Sequence, residues 1–156
     1  MRLMVYSCLE ANTPTSQVSA LLTNICKLLD VNADTIARST VEAMALELGI
    51  WSDVFVAKVL MTRQNITLGF DATTQEGSHV NSIHITVDGQ CYLLSLEQLP
   101  GGTAVDYSGH IIRTINHFAK VFSQFFDVPI ETCVEKMRSN ISCFMSDRAI
   151  VNQAAV

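Results

Sequence analysis

Apolar residues recur at helical spacing from Ser16 to Asp30, where Val18, Leu21, Leu22, Ile25, Leu28 and Leu29 form one stripe behind Pro14. Asp34 then offers a cap for a short turn through Ile36. Ser39 and Glu42 make a capping-box pattern ahead of a second stripe, Val41, Met44, Ala45 and Leu48, for which Gly49 is a natural stop. A further helix is predicted from about Ser52 to Leu60, carrying Phe55, Val56, Val59 and Leu60. The period changes from helical to alternating at Ile66. In ITLGFDATT, Ile66, Leu68 and Phe70 alternate with Thr67 and Gly69, which predicts a strand ending near Asp71 and followed by the loop QEGSH. Ile83, Ile85 and Val87 then share one face of a second strand, with His84 and Thr86 on the other. Asp88-Gly89 predicts a type I′ turn into a third strand, which Pro100-Gly101-Gly102 ends.

Thr103 with Asp106 caps a predicted long helix whose stripe is Ile111, Ile112, Ile115, Phe118, Ala119 and Phe122, continuing towards Phe125. Val128-Pro129 breaks it, and Pro129 opens a shorter helix through about Ser139. ISCFM, from Ile141 to Met145, reads as a buried fourth strand, and AIVNQAAV as the beginning of another helix. The pattern therefore predicts a helical segment over 1–63 and an α/β segment over 64–156.

Composition narrows the function classes. With 156 residues, 49% hydrophobic and 16% charged, the chain has ample material for a core and is not disordered. No apolar run reaches the roughly 18 residues of a spanning helix, and the opening residues lack the apolar stretch of a secretory signal. A nuclear or cytoplasmic protein is expected, neither secreted nor held in a membrane. Five scattered cysteines without a CxxC pair indicate reduced, buried thiols. The sequons at Asn65 and Asn140 are then chance matches.

Three helices in succession suggest a helix-turn-helix reader of DNA, but charge argues against it. Through Asn65 five basic residues face six acidic ones, and STVEAMALEL carries two Glu and no cation to meet phosphate. A net charge of −5 extends the same argument to the whole chain. The helical segment reads instead as a packing layer or a dimerisation surface.

Two aspartates hold positions where chemistry is usually placed. Asp71 is expected at the end of the first strand and Asp147 directly after the fourth. If those strands are neighbours, the carboxylates face one another, and a divalent cation such as Mg²⁺ or Mn²⁺ is the simple way to keep both ionised. Two-metal phosphoryl chemistry would follow. The alternative is that each aspartate caps a loop or a helix. The histidines His79, His84, His110 and His117 show no ligand spacing, except for His79 near Asp71, and no Ser–His–Asp arrangement is legible.

The succession GFDATTQEG, a DG hairpin, CYLLSLEQLPGGTAVDY, a long helix and ISCFMSDRAIVN resembles ribonuclease H-like cores, and among them the transposase-derived, hAT-like proteins of eukaryotic genomes. The resemblance covers about residues 64–156. It implies a mixed sheet with an antiparallel first hairpin set and flanking helices. It also implies metal-binding catalytic carboxylates at Asp71 and Asp147, Mg²⁺ or Mn²⁺ as cofactor, and DNA as partner, which the acidic charge does not favour. Such cores need a third acidic residue on a helix beyond a fifth strand, and the sequence stops at Val156 before one. Asp106 reads as a cap, not a substitute. A truncated and inactive remnant is therefore expected, with an interaction or scaffold domain as the rival reading. GFDATT is also similar to the phosphate loop of actin-like ATPases, with Ala72 where a glycine is expected. A missing fifth strand would leave Ile111, Ile115, Phe118 and Phe122 short of cover, so self-association through apolar helices is expected.

Overall fold

Residues 1–32, 34, 36–75 and 77–146 are described by the computed structural model of the chain. By internal packing it divides into two units, Met1–Ser52 and Asp53–Val156. The first holds α1 (Arg2–Glu10), α2 (Thr15–Leu28) and the leading part of α3 (Arg38–Thr62). Its core is Val5, Val18, Leu22 and Val41, with Cys8, Leu9, Ile25, Ile36 and Met44 packed around them. Of the expected stripe, Val18 and Leu22 are buried and Ile25 packs against them, whereas Leu21, Leu28 and Leu29 are exposed. The turn expected between Asp34 and Ile36 includes Thr35, which lies outside the described residues.

Gly49 does not stop a helix. Arg38–Thr62 is one continuous helix, and Gly49 is absent from the positive-φ positions a glycine cap would occupy. Interior glycine costs about 1 kcal/mol relative to alanine. Downstream, Val54, Val56, Ala57, Val59 and Leu60 are all buried, and each large one contributes about 1.5–3 kcal/mol. Burial wins. Ser39 is accordingly inside the helix, and Glu42 pairs with Arg38 Nε at 2.7 Å instead of closing a capping box.

The second unit contains β1 (Ile66–Gln75), β2 (Ser78–Val87), β3 (Gln90–Leu99), α4 (Ala104–Phe126), α5 (Ile130–Asn140) and β4 (Ile141–Met145). The strands form one mixed sheet in the order β3-β2-β1-β4. β1 and β3 run antiparallel to β2, whereas β4 lies parallel to β1. The architecture is mixed α/β, preceded by a helical segment. One face of the sheet, carrying Ile66, Leu68, Phe70, Ile83, Ile85 and Val87, shares a core with the end of α3, α4 and α5.

Local chemistry explains most boundaries. Asp88 and Gly89 adopt φ of 52° and 75°, the left-handed pair a type I′ turn requires. Asp106 N donates to Thr103 Oγ1 at 3.3 Å and Thr103 N to Asp106 Oδ2 at 3.0 Å, so the box at the start of α4 is reciprocal. Thr103 Oγ1 also donates to Asp106 Oδ2 at 2.6 Å, and that bond first, then the one from Thr103 N, holds the Asp106 carboxyl below its ordinary value. Pro129 N-caps α5.

Four expectations need correction. Most of the expected loop QEGSH is strand, because β1 runs on to Gln75 and β2 begins at Ser78. β4 is an exposed edge strand, since β1 is its only partner among the described residues. On α4, Ile111, Ile115, Phe118 and Ala119 are buried, but Ile112 and Phe125 are about half exposed. The buried part of that stripe packs in the core it shares with the sheet. Of the cysteines only Cys133 is buried, and desolvation, then Glu131, pushes its thiol pKa up; Cys91 and Cys143 are exposed.

Asn140, at the α5–β4 junction, is 3% exposed and donates through Nδ2 to the carbonyls of Leu60 at 2.9 Å and Met61 at 3.2 Å. It thereby satisfies orphan carbonyls at the end of α3, and its engaged amide is unavailable as a glycosylation acceptor. Asn140→Ala is expected to destabilise the fold by about 1–3 kcal/mol, the cost of unpaired buried groups. Urea denaturation of both proteins checks this, with an unchanged midpoint counting against the capping role.

Candidate functional site

Asp71 lies in the middle of β1, not at its end, because the β1–β2 ladder continues through Thr74↔His79 and Gln75↔Ser78. Alternation places it with Thr67, Gly69 and Thr73 on the face opposite the core. It is exposed, and opposite it Ser82 donates to the Asp71 backbone carbonyl at 3.3 Å. Among the described residues no ion pair or side-chain hydrogen bond occupies its carboxylate. Asp147 lies outside the described residues. The ladder pairing β1 with β4 ends at Gly69↔Met145.

His84 covers Gly69 on this face. A Cβ built on Gly69 would stand 2.2 Å from His84 Nε2, so the absence of a side chain is what lets the imidazole lie across β1. His79 turns away from Asp71: its Nδ1 is 3.2 Å from Thr74 Oγ1, and its ring lies against Gly102. Asp106 caps α4. No group of three metal-ligating side chains is assembled among the described residues.

A second constellation, not legible in the sequence, forms between β2, β3 and α4. His110 is fully buried, with Nδ1 2.9 Å from Asn81 Nδ2 and Nε2 2.8 Å from Ser95 Oγ. Glu97 lies 3.3 Å from Nε2 through one oxygen and binds Arg113 at 2.7 Å through the other. Desolvation lowers the His110 pKa, against an opposing pull from Glu97 and with a smaller push from Arg113. The imidazole is therefore neutral near pH 7. Since an amide nitrogen only donates, Nδ1 accepts and Nε2 carries the proton. That proton points at Ser95 and Glu97, the wrong way round for His110 to deprotonate the Ser95 hydroxyl. Ser–His–Asn proximity here is a structural relay, not an activated nucleophile. The cost is visible in Asn81 Oδ1, a buried acceptor without a hydrogen-bond partner among the described residues.

A β-bulge creates this relay. The β2–β3 register shifts between Ile83 and His84, leaving Leu94 as the extra residue, so that Ser95 and Glu97 face α4 while Leu93 and Leu96 are turned outward. Only a break in the spacing of β3 would have signalled it, and YLLSLEQL has no alternation clear enough to show one.

No family model matches this chain, and neither does any curated protein or solved structure. Function must therefore be argued from the site. No described helix is long and apolar enough to cross a membrane.

Proposed function

We propose that the sheet unit is a ribonuclease H-like core of the transposase-derived kind. In this reading Asp71 and Asp147 are the remnant of a divalent-cation site, and the chain by itself is catalytically silent. The observation that carries the reading is the placement of β4 beside β1, parallel to it, at the edge of an antiparallel β1–β2–β3 set. Asp71 follows Gly69 by two residues, and Asp147 follows Met145 by two. Equal offsets would bring the two side chains to one face only if the parallel pairing ran on past its described end at Met145. Mg²⁺ or Mn²⁺ is the cation such oxygen ligands select.

Silence is supported by charge. The four strands contain no Lys or Arg, so among the described residues the sheet itself offers the Asp71 face no Lys or Arg to hold a nucleic-acid backbone. Incubation with plasmid and single-stranded DNA in Mg²⁺ or Mn²⁺ is expected to give no cleavage or strand joining. Mn²⁺ added to labelled protein should broaden resonances flanking Asp71, and both Asp71→Asn and Asp147→Asn should abolish the effect. Metal-dependent nicking that vanishes in Asp71→Ala would overturn the silent reading. Broadening that ignores both substitutions would overturn the paired site.

A further inference from the structure

The end of α3 and the β2–β3 hairpin enclose a cleft of about 390 Å³, within the size range of small-molecule sites. Phe55, Lys58, Val59 and Thr62 line one wall at i, i+3, i+4 and i+7 of the helix, a single face. The hairpin supplies the other wall, with buried Val87 meeting buried Val59 to form an apolar floor. Two aromatic rings stand above it. Phe55 and Tyr92 have centroids 5.9 Å apart and planes tilted by 57°, so neither ring covers the other's face. Phe55 is 55% exposed, while the Tyr92 hydroxyl is committed to Gln90 Oε1.

The rim is cationic in an otherwise acidic chain. Lys58 has no acidic partner among the described residues. Arg63 meets Asp88 at 3.5 Å, but both side chains are more than half exposed. An exposed pair of that kind contributes little and is readily exchanged for another anion. Apolar floor, open aromatic face and uncommitted positive charge thus converge within one cleft.

We propose that this cleft binds a planar aromatic anion, its ring laid on Phe55 and Tyr92 and its anionic group held by Lys58 and Arg63. This site is separate from the Asp71 face and does not depend on the ribonuclease H-like reading. A nucleoside monophosphate and an aromatic carboxylate both carry that chemistry, and the probes tell them apart. Isothermal titration with AMP, with indole-3-acetate, and with adenosine and inorganic phosphate as half-ligands is the test. At least one aromatic anion should bind at submillimolar concentration, with each half-ligand about tenfold or more weaker. AMP binding assigns the nucleotide source, and binding of indole-3-acetate alone assigns the carboxylate. Lys58→Gln should weaken binding about tenfold through loss of a charge-assisted contact, and Phe55→Ala about tenfold through loss of stacking. Lys120→Gln, on α4, should leave affinity unchanged. Both cleft positions are exposed, and circular dichroism will report whether the variants remain folded. Failure of both anions to bind, adenosine binding as tightly as AMP, or affinity indifferent to Lys58→Gln and Phe55→Ala would overturn the proposal.

Discussion

Phe118→Ala is expected to destabilise the protein by about 3–5 kcal/mol, enough to unfold a large fraction of a domain whose total stability is about 5–15 kcal/mol. Phe118 is 2% exposed and sits in the core that α4 shares with the sheet. Truncating it removes a ring from among strands that cannot easily collapse into the space, because β1 and β2 are each pinned by ladders on both sides. Ile112, on the same predicted stripe, is 47% exposed, and Ile112→Ala should cost less than about 1 kcal/mol. Urea denaturation of the two variants measures the phase of the helix directly. Equal losses would mean that α4 is rotated from the orientation described.

The second large effect is expected at His110. His110→Leu keeps an apolar group of similar size in the site but leaves Asn81 with no hydrogen-bond partner and takes from Ser95 and Glu97 their shared contact. Unpaired buried polar groups cost about 1–3 kcal/mol each, so a loss of about 2–4 kcal/mol is expected. The substitution also changes the response to acid. Burial lowers the His110 pKa in the folded protein below the ordinary imidazole value of about 6.5, so the unfolded chain takes up its proton first. Stability from this residue is therefore complete above about pH 6.5 and is lost as pH falls towards the folded-state value. Glu97 limits that loss, and Arg113 adds to it. Asp106, held below the ordinary carboxyl value, adds a further loss at lower pH that the substitution leaves in place. Thermal melts from about pH 7.5 to pH 5 should slope in the native protein and flatten in His110→Leu. A slope that persists unchanged in the variant would assign the acid sensitivity elsewhere.

How far the sequence could be read depended on the range of the forces involved. The hairpin turn at Asp88-Gly89, the box of Thr103 with Asp106 and the helix start at Pro129 were legible because each is decided within about four residues. Alternation in β2 was legible because one of its faces is buried against helices and the other is not. Gly49 misled, since its propensity is a small penalty that distant burial at Val56, Val59 and Leu60 outweighs. ISCFM misled in the other direction. Its apolar run suggests a buried strand, yet an edge position leaves Phe144 and Met145 exposed.

For the candidate site the division is the same. Asp71 was picked out by its place after an alternating run, but its position in the middle of β1 came from continued pairing with β2, which no local signal marked. His110 was one of four histidines without distinguishing spacing. It became a buried, neutral, fully engaged group only when a bulge at Leu94 turned Ser95 and Glu97 towards α4.

The sequence by itself determined the succession of elements from Ile66 to Met145, the Asp88-Gly89 turn and the cap at Thr103, because those follow from backbone geometry and neighbouring side chains. The tertiary structure alone decided that β4 returns beside β1 and that α3 runs through its glycine. It alone decided which face of β3 meets His110. Each of those outcomes is set by burial and hydrogen bonding between residues far apart in the chain, whose energies exceed the local preferences they override.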